Sequence, residues 1–219
     1  MMPRIFHQAR DPISSYSHFL GAGLSVVGLI LMLFRLSKGG NASATTVTAC
    51  VLFCLSLIAL YTASGTYHFS RASDQVVRML RKLDHAMIYI LIAGSYTPIL
   101  LSALPRPKNM VFTAAMWVVA AAGIVLKLCW IDAPRWLGTS LYILMGWAIL
   151  VDLPALAALP PFEIFLMAAG GVAYTIGGVI YLLKRPNPTP AFGFHELFHV
   201  FVLIGSLCHY CMVFYYVAS

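Results

Sequence analysis

Two histidines four residues apart open the last long apolar run of the sequence. His195 and His199 stand in the segment Gly193-Phe194-His195-Glu196-Leu197-Phe198-His199, and residues four apart share one face of a helix. An ionisable side chain inside an apolar span is costly, so it marks a functional site by default. Imidazoles are common ligands of borderline ions such as zinc. The pair is therefore a candidate metal-binding motif.

Further polar groups stand at the ends of two other apolar runs. Ser64 and His68 are four residues apart at the end of the second run, and Asp84 opens the third. Taken alone, Ser64 suits a hydrogen bond to its own helix backbone. Asp84 alone suits a helix N-cap or an ion pair with Arg81 or Lys82. Asp84 is interpreted as the only carboxylate at the start of the third apolar run, and so as the partner of a cation.

The composition is that of an all-α integral membrane protein. Of the 219 residues, 61% are hydrophobic and 10% are charged, whereas a soluble domain is about half apolar and about a quarter charged. A membrane-spanning helix needs about 20 mostly apolar residues. Reading for such runs predicts a bundle of seven transmembrane helices that forms one domain over residues 1–219. The predicted spans are Ser15–Leu36, Thr45–Phe69, Leu83–Leu104, Val111–Leu128, Leu137–Leu153, Phe162–Leu183 and His195–Val217.

The positions of lysine and arginine predict the orientation of this bundle. The side of a membrane protein with more of these residues in short loops stays in the cytoplasm, which predicts a cytoplasmic N-terminus and an external C-terminus. The net charge of +7 then reflects this asymmetry and attraction to anionic lipids, and it does not favour nucleic acid as a partner. Ten cations lie on the N-terminal side and four on the other: Arg4, Arg10, Arg71, Arg78, Arg81, Lys82, Lys127, Arg135, Lys184 and Arg185, against Arg35, Lys38, Arg106 and Lys108.

The predicted topology brings the polar groups to one depth. The second span ends, and the third and seventh begin, on the cytoplasmic side, so His68, Asp84, His195 and His199 should lie at one level. Three imidazoles suit zinc with an open fourth position for water. The alternative is a set of separately satisfied polar residues at the membrane boundary, and their convergence from three helices favours the metal.

The cysteines and one further histidine invite weaker interpretations. Cys54, Cys208 and Cys211 are candidates for a second metal site, although a free cysteine usually behaves as a small buried apolar residue. His18 in the first span is interpreted as a head-group boundary residue, with a supporting role near the site as the alternative.

Three motifs in this order resemble those of the bacterial hemolysin III family, which belongs with the progestin and adipoQ receptors. The first is Ser64-x-x-x-His68. The second runs from Leu83-Asp84-His85-Ala86 to Gly94-Ser95-Tyr96-Thr97-Pro98. The third is Gly193-Phe194-His195-Glu196-x-Phe198-His199. The resemblance covers nearly the whole chain.

The resemblance implies a function and roles for individual residues. It implies zinc held by His68, His195 and His199, with Asp84 holding the water of the site and Ser64 supporting it. Because the wider superfamily includes alkaline ceramidases, the implied activity is hydrolysis of a lipid amide or ester. The expected role is in membrane lipid homeostasis, in a multi-pass protein of the bacterial cell membrane, with a membrane lipid as substrate or ligand.

Three other functions are open alternatives. His195-Glu196-Leu197-Phe198-His199 also matches H-E-x-x-H, in which glutamate is the general base of a metalloprotease. On the lipid-hydrolase interpretation, Glu196 should instead face a neighbouring basic group. A receptor would use zinc structurally, with four protein ligands, and a cytolysin would form a pore. Three strong ligands and a water-holding carboxylate favour the hydrolase.

Overall fold

The fold is a bundle of α-helices, and the described part of the chain contains no β-strand. The structure, a computed structural model, describes residues 8–39, 42–152, 154 and 159–218. Arg4, one of the cations counted above, and Leu153, the predicted end of the fifth span, lie outside these residues. Among the described residues the α-helices are α1 (Pro12–Lys38), α2 (Ala44–Phe69), α3 (Asp74–Ala103), α4 (Lys108–Cys129), α5 (Arg135–Gly146), α6 (Pro161–Leu183) and α7 (Phe194–Met212).

Six helices of the described chain are long and apolar enough to cross a membrane. They are α1 to α4, α6, and α7 extended by the π-helical turn Val213–Val217. The predicted fifth span, Leu137–Leu153, differs from the others. Its α-helix, α5, has only 12 residues, and a 3-10 helix of 5 residues follows over Ala148–Asp152. The α-helical part rises about 18 Å and the 3-10 part about 10 Å.

The segment from Arg135 to Asp152 runs from one end of the bundle to the other. At its start, Arg135 donates a hydrogen bond to the carbonyl oxygen of Tyr181 in the last turn of α6, at 3.1 Å. At its finish, Asp152 forms an ion pair with Lys108, the first residue of α4. The bundle therefore has one end where α1, α3, α5 and α7 begin, which we call the α1 end.

The third helix begins earlier than the sequence predicts, at Asp74 rather than Leu83. An acidic residue in the first turn favours a helix start because it interacts with the helix dipole. Arg78 and Arg81 on the added turns form ion pairs with Asp132, between α4 and α5. A helix makes its backbone hydrogen bonds within itself, so it needs no apolar surroundings to continue. The helix α3 therefore extends beyond the apolar run that begins at Leu83.

The helices pack through small residues as well as large ones. Phe53 and Tyr61 of α2 are buried in a cluster with residues of α1 and α7, and Tyr89 of α3 anchors a second cluster with α4 and α5. A Cβ atom added at Gly94 would lie 2.4 Å from the Ser56 hydroxyl. Such glycines let helices approach closely in a membrane, so α2 and α3 pack in direct contact where Gly94 faces Ser56.

Candidate metal centre

Three imidazoles meet at the α1 end of the bundle. His68 lies in the last turn of α2, and His195 and His199 lie near the start of α7. One ring nitrogen from each lies within 4.8 Å of the others, and the Nε2 atoms of His68 and His195 are 3.2 Å apart. Two nitrogens about 2.0–2.1 Å from a tetrahedral zinc ion are about 3.3 Å apart. The His68 and His195 nitrogens have this spacing, and His199 offers a third nitrogen within 4.8 Å of both. The three side chains therefore suit a zinc ion, and their role as ligands stays a prediction.

A carboxylate that the sequence analysis missed lies behind the first of these imidazoles. Oδ2 of Asp11 is 2.9 Å from Nδ1 of His68, so the ring directs its other nitrogen, Nε2, towards His195. The hydrogen bond from His68 holds the pKa of the Asp11 carboxyl below its usual range, against the opposing effect of partial burial. Asp84 is therefore not the only carboxylate at this end. Asp11 followed by Pro12 is typical of a helix start, and this pattern could have placed it there.

His18 lies against the same cluster, buried rather than at a head-group boundary. It is 3% exposed, and its ring stacks on that of His199 with centroids 3.7 Å apart and planes 17° apart. Among the described residues, His18 is not in the group whose potential ligand atoms lie within 4.8 Å of one another. His18 therefore packs against a candidate ligand and does not join the cluster.

Asp84, the predicted water-holding residue, and Ser64, the predicted supporting residue, line a cavity whose wall includes the three histidines. The cavity has a volume of about 480 Å³, and its wall includes Ser64, His68, Asp84, His195 and His199. Most of the remaining wall is aliphatic or aromatic and comes from α3, α5, α6 and α7. A cavity of this size and character is typical of a small-molecule site.

The Asp84 carboxylate is buried but not engaged. It is 9% exposed, and within the described residues no group donates a hydrogen bond to it. Nδ1 of His85 is 3.7 Å away, and that nitrogen instead hydrogen-bonds the carbonyl oxygen of Arg81 at 2.8 Å. Asp84 therefore keeps its oxygens available to the cavity. The structure places Asp84 and Ser64 on the wall of the same cavity as the histidines, and their roles stay predictions.

Glu196, the glutamate of the H-E-x-x-H match, lines the same cavity, and each of its oxygens accepts a hydrogen bond. Its Oε1 accepts a hydrogen bond from the Ser14 hydroxyl at 3.0 Å, and its Oε2 accepts one from the Gly193 amide at 2.9 Å. Within the described residues, the expectation that it faces a basic group is wrong, because its partners are the Ser14 hydroxyl of α1 and the Gly193 amide at the start of its own helix. The second of these contacts is one half of a capping box, which stabilises a helix start.

The cysteines do not form a second cluster. Cys54 is buried in α2, while Cys208 and Cys211 are partly buried in α7, and all are free thiols. Among the described residues, the three histidines are the only group of three or more histidine, cysteine or acidic side chains close enough to share an ion. The interpretation of the cysteines as buried apolar residues therefore fits the described structure better.

Comparison with known proteins places the chain in a family. Residues 6–210 match the family described as "Haemolysin-III related". The chain is 35% identical to "Hemolysin-3" of Bacillus cereus over 217 residues, which cover 98% of this chain and 95% of the relative. It is 31% identical to "Hemolysin-3 homolog" of Bacillus subtilis (strain 168) over 204 residues, covering 92% of each.

A more distant relative extends the similarity to plants. The chain is 28% identical to "Heptahelical transmembrane protein 5" of Arabidopsis thaliana over 181 residues, which cover 73% of this chain and 46% of the relative. The family match and the apolar helices agree on a multi-pass membrane protein. With a matched region that spans nearly the whole sequence, the chain belongs to the haemolysin-III-related family of membrane proteins.

Proposed function

We propose that this protein is a zinc-dependent membrane hydrolase that cleaves an amide or ester bond of a lipid and acts in membrane lipid homeostasis. One observation carries the proposal. Three imidazoles meet at the polar part of a largely apolar cavity whose wall also holds Asp84. A lipid has the matching form, with a polar bond to cleave and an apolar chain to bury.

The proposed centre divides the chemistry between the histidines and Asp84. His68, His195 and His199 would hold the ion. Zinc held there would supply Lewis-acid chemistry, polarising a carbonyl group and making water more acidic. Asp84 would orient the attacking water and accept its proton, which requires a carboxylate within reach of the water. Its lack of a hydrogen-bond donor among the described residues supports this role, and Ser64 would line the same polar pocket.

The engagement of Glu196 argues against the protease alternative. A general base must accept a proton from the attacking water, and a carboxylate oxygen without a competing donor is best suited to this. Each oxygen of Glu196 already accepts a hydrogen bond, from Ser14 or Gly193, whereas no described group donates to Asp84. This glutamate therefore fits a structural role at the start of α7, and the lipid hydrolase is the better supported of the two enzymes.

A comparison of cellular lipids tests the proposal. Cells that make the wild-type protein should differ in at least one class of lipid amide or ester, and in its free fatty acid, from cells that make equal amounts of His199→Ala. The physical reason is that the variant loses one of three candidate ligands. Mass spectrometry of extracted lipids provides the measurement. Identical lipid profiles at equal protein levels would contradict hydrolysis and favour a receptor with structural zinc.

We also propose seven membrane crossings with a cytoplasmic N-terminus. The α5 and 3-10 segments together rise about 28 Å, close to the ~30 Å of a hydrocarbon core. Their contacts with Tyr181 at one end of the bundle and Lys108 at the other support a fifth crossing. The excess of cations at the α1 end supports its cytoplasmic location.

Reporter fusions test this topology. A reporter inserted between Ser70 and Ser73, in the connection from α2 to α3, should be cytoplasmic. One fused after Ser219 should be external, because an odd number of crossings separates the N-terminus from the C-terminus. Alkaline phosphatase and fluorescent-protein fusions give opposite readouts and control for each other. Fusions that report the same side at both positions would contradict seven crossings.

A further inference from the structure

We infer that Asp11 is a positioning residue for the metal centre, holding His68 in the orientation and tautomer that bind the ion. The inference rests on the proposed zinc site and adds a residue of the N-terminal segment to it. The contact that motivates it joins Oδ2 of Asp11 and Nδ1 of His68 at 2.9 Å. A carboxylate behind a metal-binding histidine fixes the ring and makes its other nitrogen more basic.

The backbone around Asp11 holds the carboxylate in place. The amide of Asp11 donates a hydrogen bond to the carbonyl oxygen of His68 at 2.9 Å. The amide of Arg10 donates one to the carbonyl oxygen of Phe69 at 3.3 Å. The Arg71 guanidinium donates to the carbonyl oxygen of Ala9 at 2.8 Å. Residues 9–11 thus lie along the end of α2, held by two hydrogen bonds to α2 and one to Arg71 just after it. The side chain therefore loses little additional freedom when it contacts His68.

The side chain of Asp11 does not cap α1, although Asp11 stands at the N-cap position. It is the N-cap residue of α1, where an aspartate normally accepts a hydrogen bond from an amide of the first turn, yet its carboxylate makes no such bond. The carboxylate instead contacts His68 and the Arg10 guanidinium, whose Nε lies 3.2 Å from the same oxygen. The contact with the histidine thus takes the place of a local one.

The orientation of the ring agrees with this role. With Nδ1 donating its proton to Asp11, the lone pair of His68 lies on Nε2. That atom is the one 3.2 Å from Nε2 of His195. Asp11 thus selects the nitrogen that faces the other candidate ligands, and loss of the carboxylate would leave a buried ring free to take the other tautomer or rotamer.

Zinc affinity measured on the purified, detergent-solubilised full chain tests the inference. Asp11→Ser should bind zinc about 10- to 100-fold more weakly than the wild type, as measured by competition with a chelator of known affinity. Serine is a good N-cap and can make the capping bond that Asp11 does not, so the variant should fold, and the melting temperature of the metal-free protein verifies this. Asp11→Asn keeps an oxygen that accepts the Nδ1 proton but lacks the charge, and its affinity should lie between the two.

The same measurement of zinc affinity provides a matched control and the outcomes that would contradict the inference. Asp74→Ser removes another carboxylate at a helix start of the α1 end, exposed in the first turn of α3, and should bind zinc as the wild type does. Wild-type affinity in folded Asp11→Ser would overturn the inference, as would wild-type affinity in Asp11→Asn if the serine variant does not fold. Absence of zinc binding by the wild type would instead overturn the proposed centre itself.

Discussion

Purified wild-type protein is expected to carry about one zinc ion per chain, and the His199→Ala variant to lose most of it. The same loss is expected for His68→Ala and His195→Ala. Three protein ligands leave no redundancy, because removal of one leaves two imidazoles and an enlarged cavity. Elemental analysis of protein purified without chelators and without histidine tags provides the measurement.

A fourth histidine on the last helix supplies the control for this experiment. His209 belongs to α7, as His195 and His199 do, but its Nε2 lies 3.4 Å from the carbonyl oxygen of Met167 in α6. His209→Ala should keep the wild-type zinc content. If a variant that lacks all three candidate ligands still retains zinc, the proposed centre is wrong.

Asp84→Asn is expected to keep its zinc and lose turnover by a factor of about 10² to 10⁴. The amide has nearly the same shape as the carboxylate, so the cavity and the histidines should be undisturbed. It cannot accept a proton from the attacking water. Mass spectrometry of fatty acid released from a lipid amide or ester by reconstituted protein measures turnover, and elemental analysis of the same sample verifies the metal.

Glu196→Gln is the matched variant for this experiment. Glutamine also serves in a capping box, so we expect both zinc and turnover to stay near wild type. Loss of turnover with zinc retained in Glu196→Gln, and not in Asp84→Asn, would contradict the lipid hydrolase and support the metalloprotease. Zinc retained with no hydrolysis by any form of the protein would leave the receptor alternative.

The apolar helices and the convergence at one end could be predicted from the sequence. Long apolar runs predict membrane helices because hydrocarbon forces the backbone to satisfy its own hydrogen bonds. The alternation of spans then predicts which helix ends share a side, so His68 could be matched with His195 before any distance was known. The structure agrees with that convergence, since ring nitrogens of these two residues are 3.2 Å apart.

Other features depend on contacts that a hydropathy pattern does not contain. The early start of α3 depends on helix propensity and on ion pairs with Asp132, which act outside the apolar run. The 3-10 geometry after Gly146 depends on local packing, where the Tyr96 hydroxyl donates to the Gly146 carbonyl oxygen at 2.7 Å. Asp11 was missed because it precedes the first apolar run and only its backbone pairing with His68 brings it to the cluster.

The composition of the cluster also bears on how the protein is made. Its three histidines come from α2 and α7, and His18 of α1 stacks on His199 from the far end of the described chain. Chains are synthesised from the N-terminus, and α7 is therefore the last of these helices to enter the membrane. Until then, His68 lacks the rings of His195 and His199, and the Tyr61 hydroxyl lacks Ser206, its partner at 2.6 Å. Any metal that the three histidines bind together is thus acquired only after α7 has been inserted.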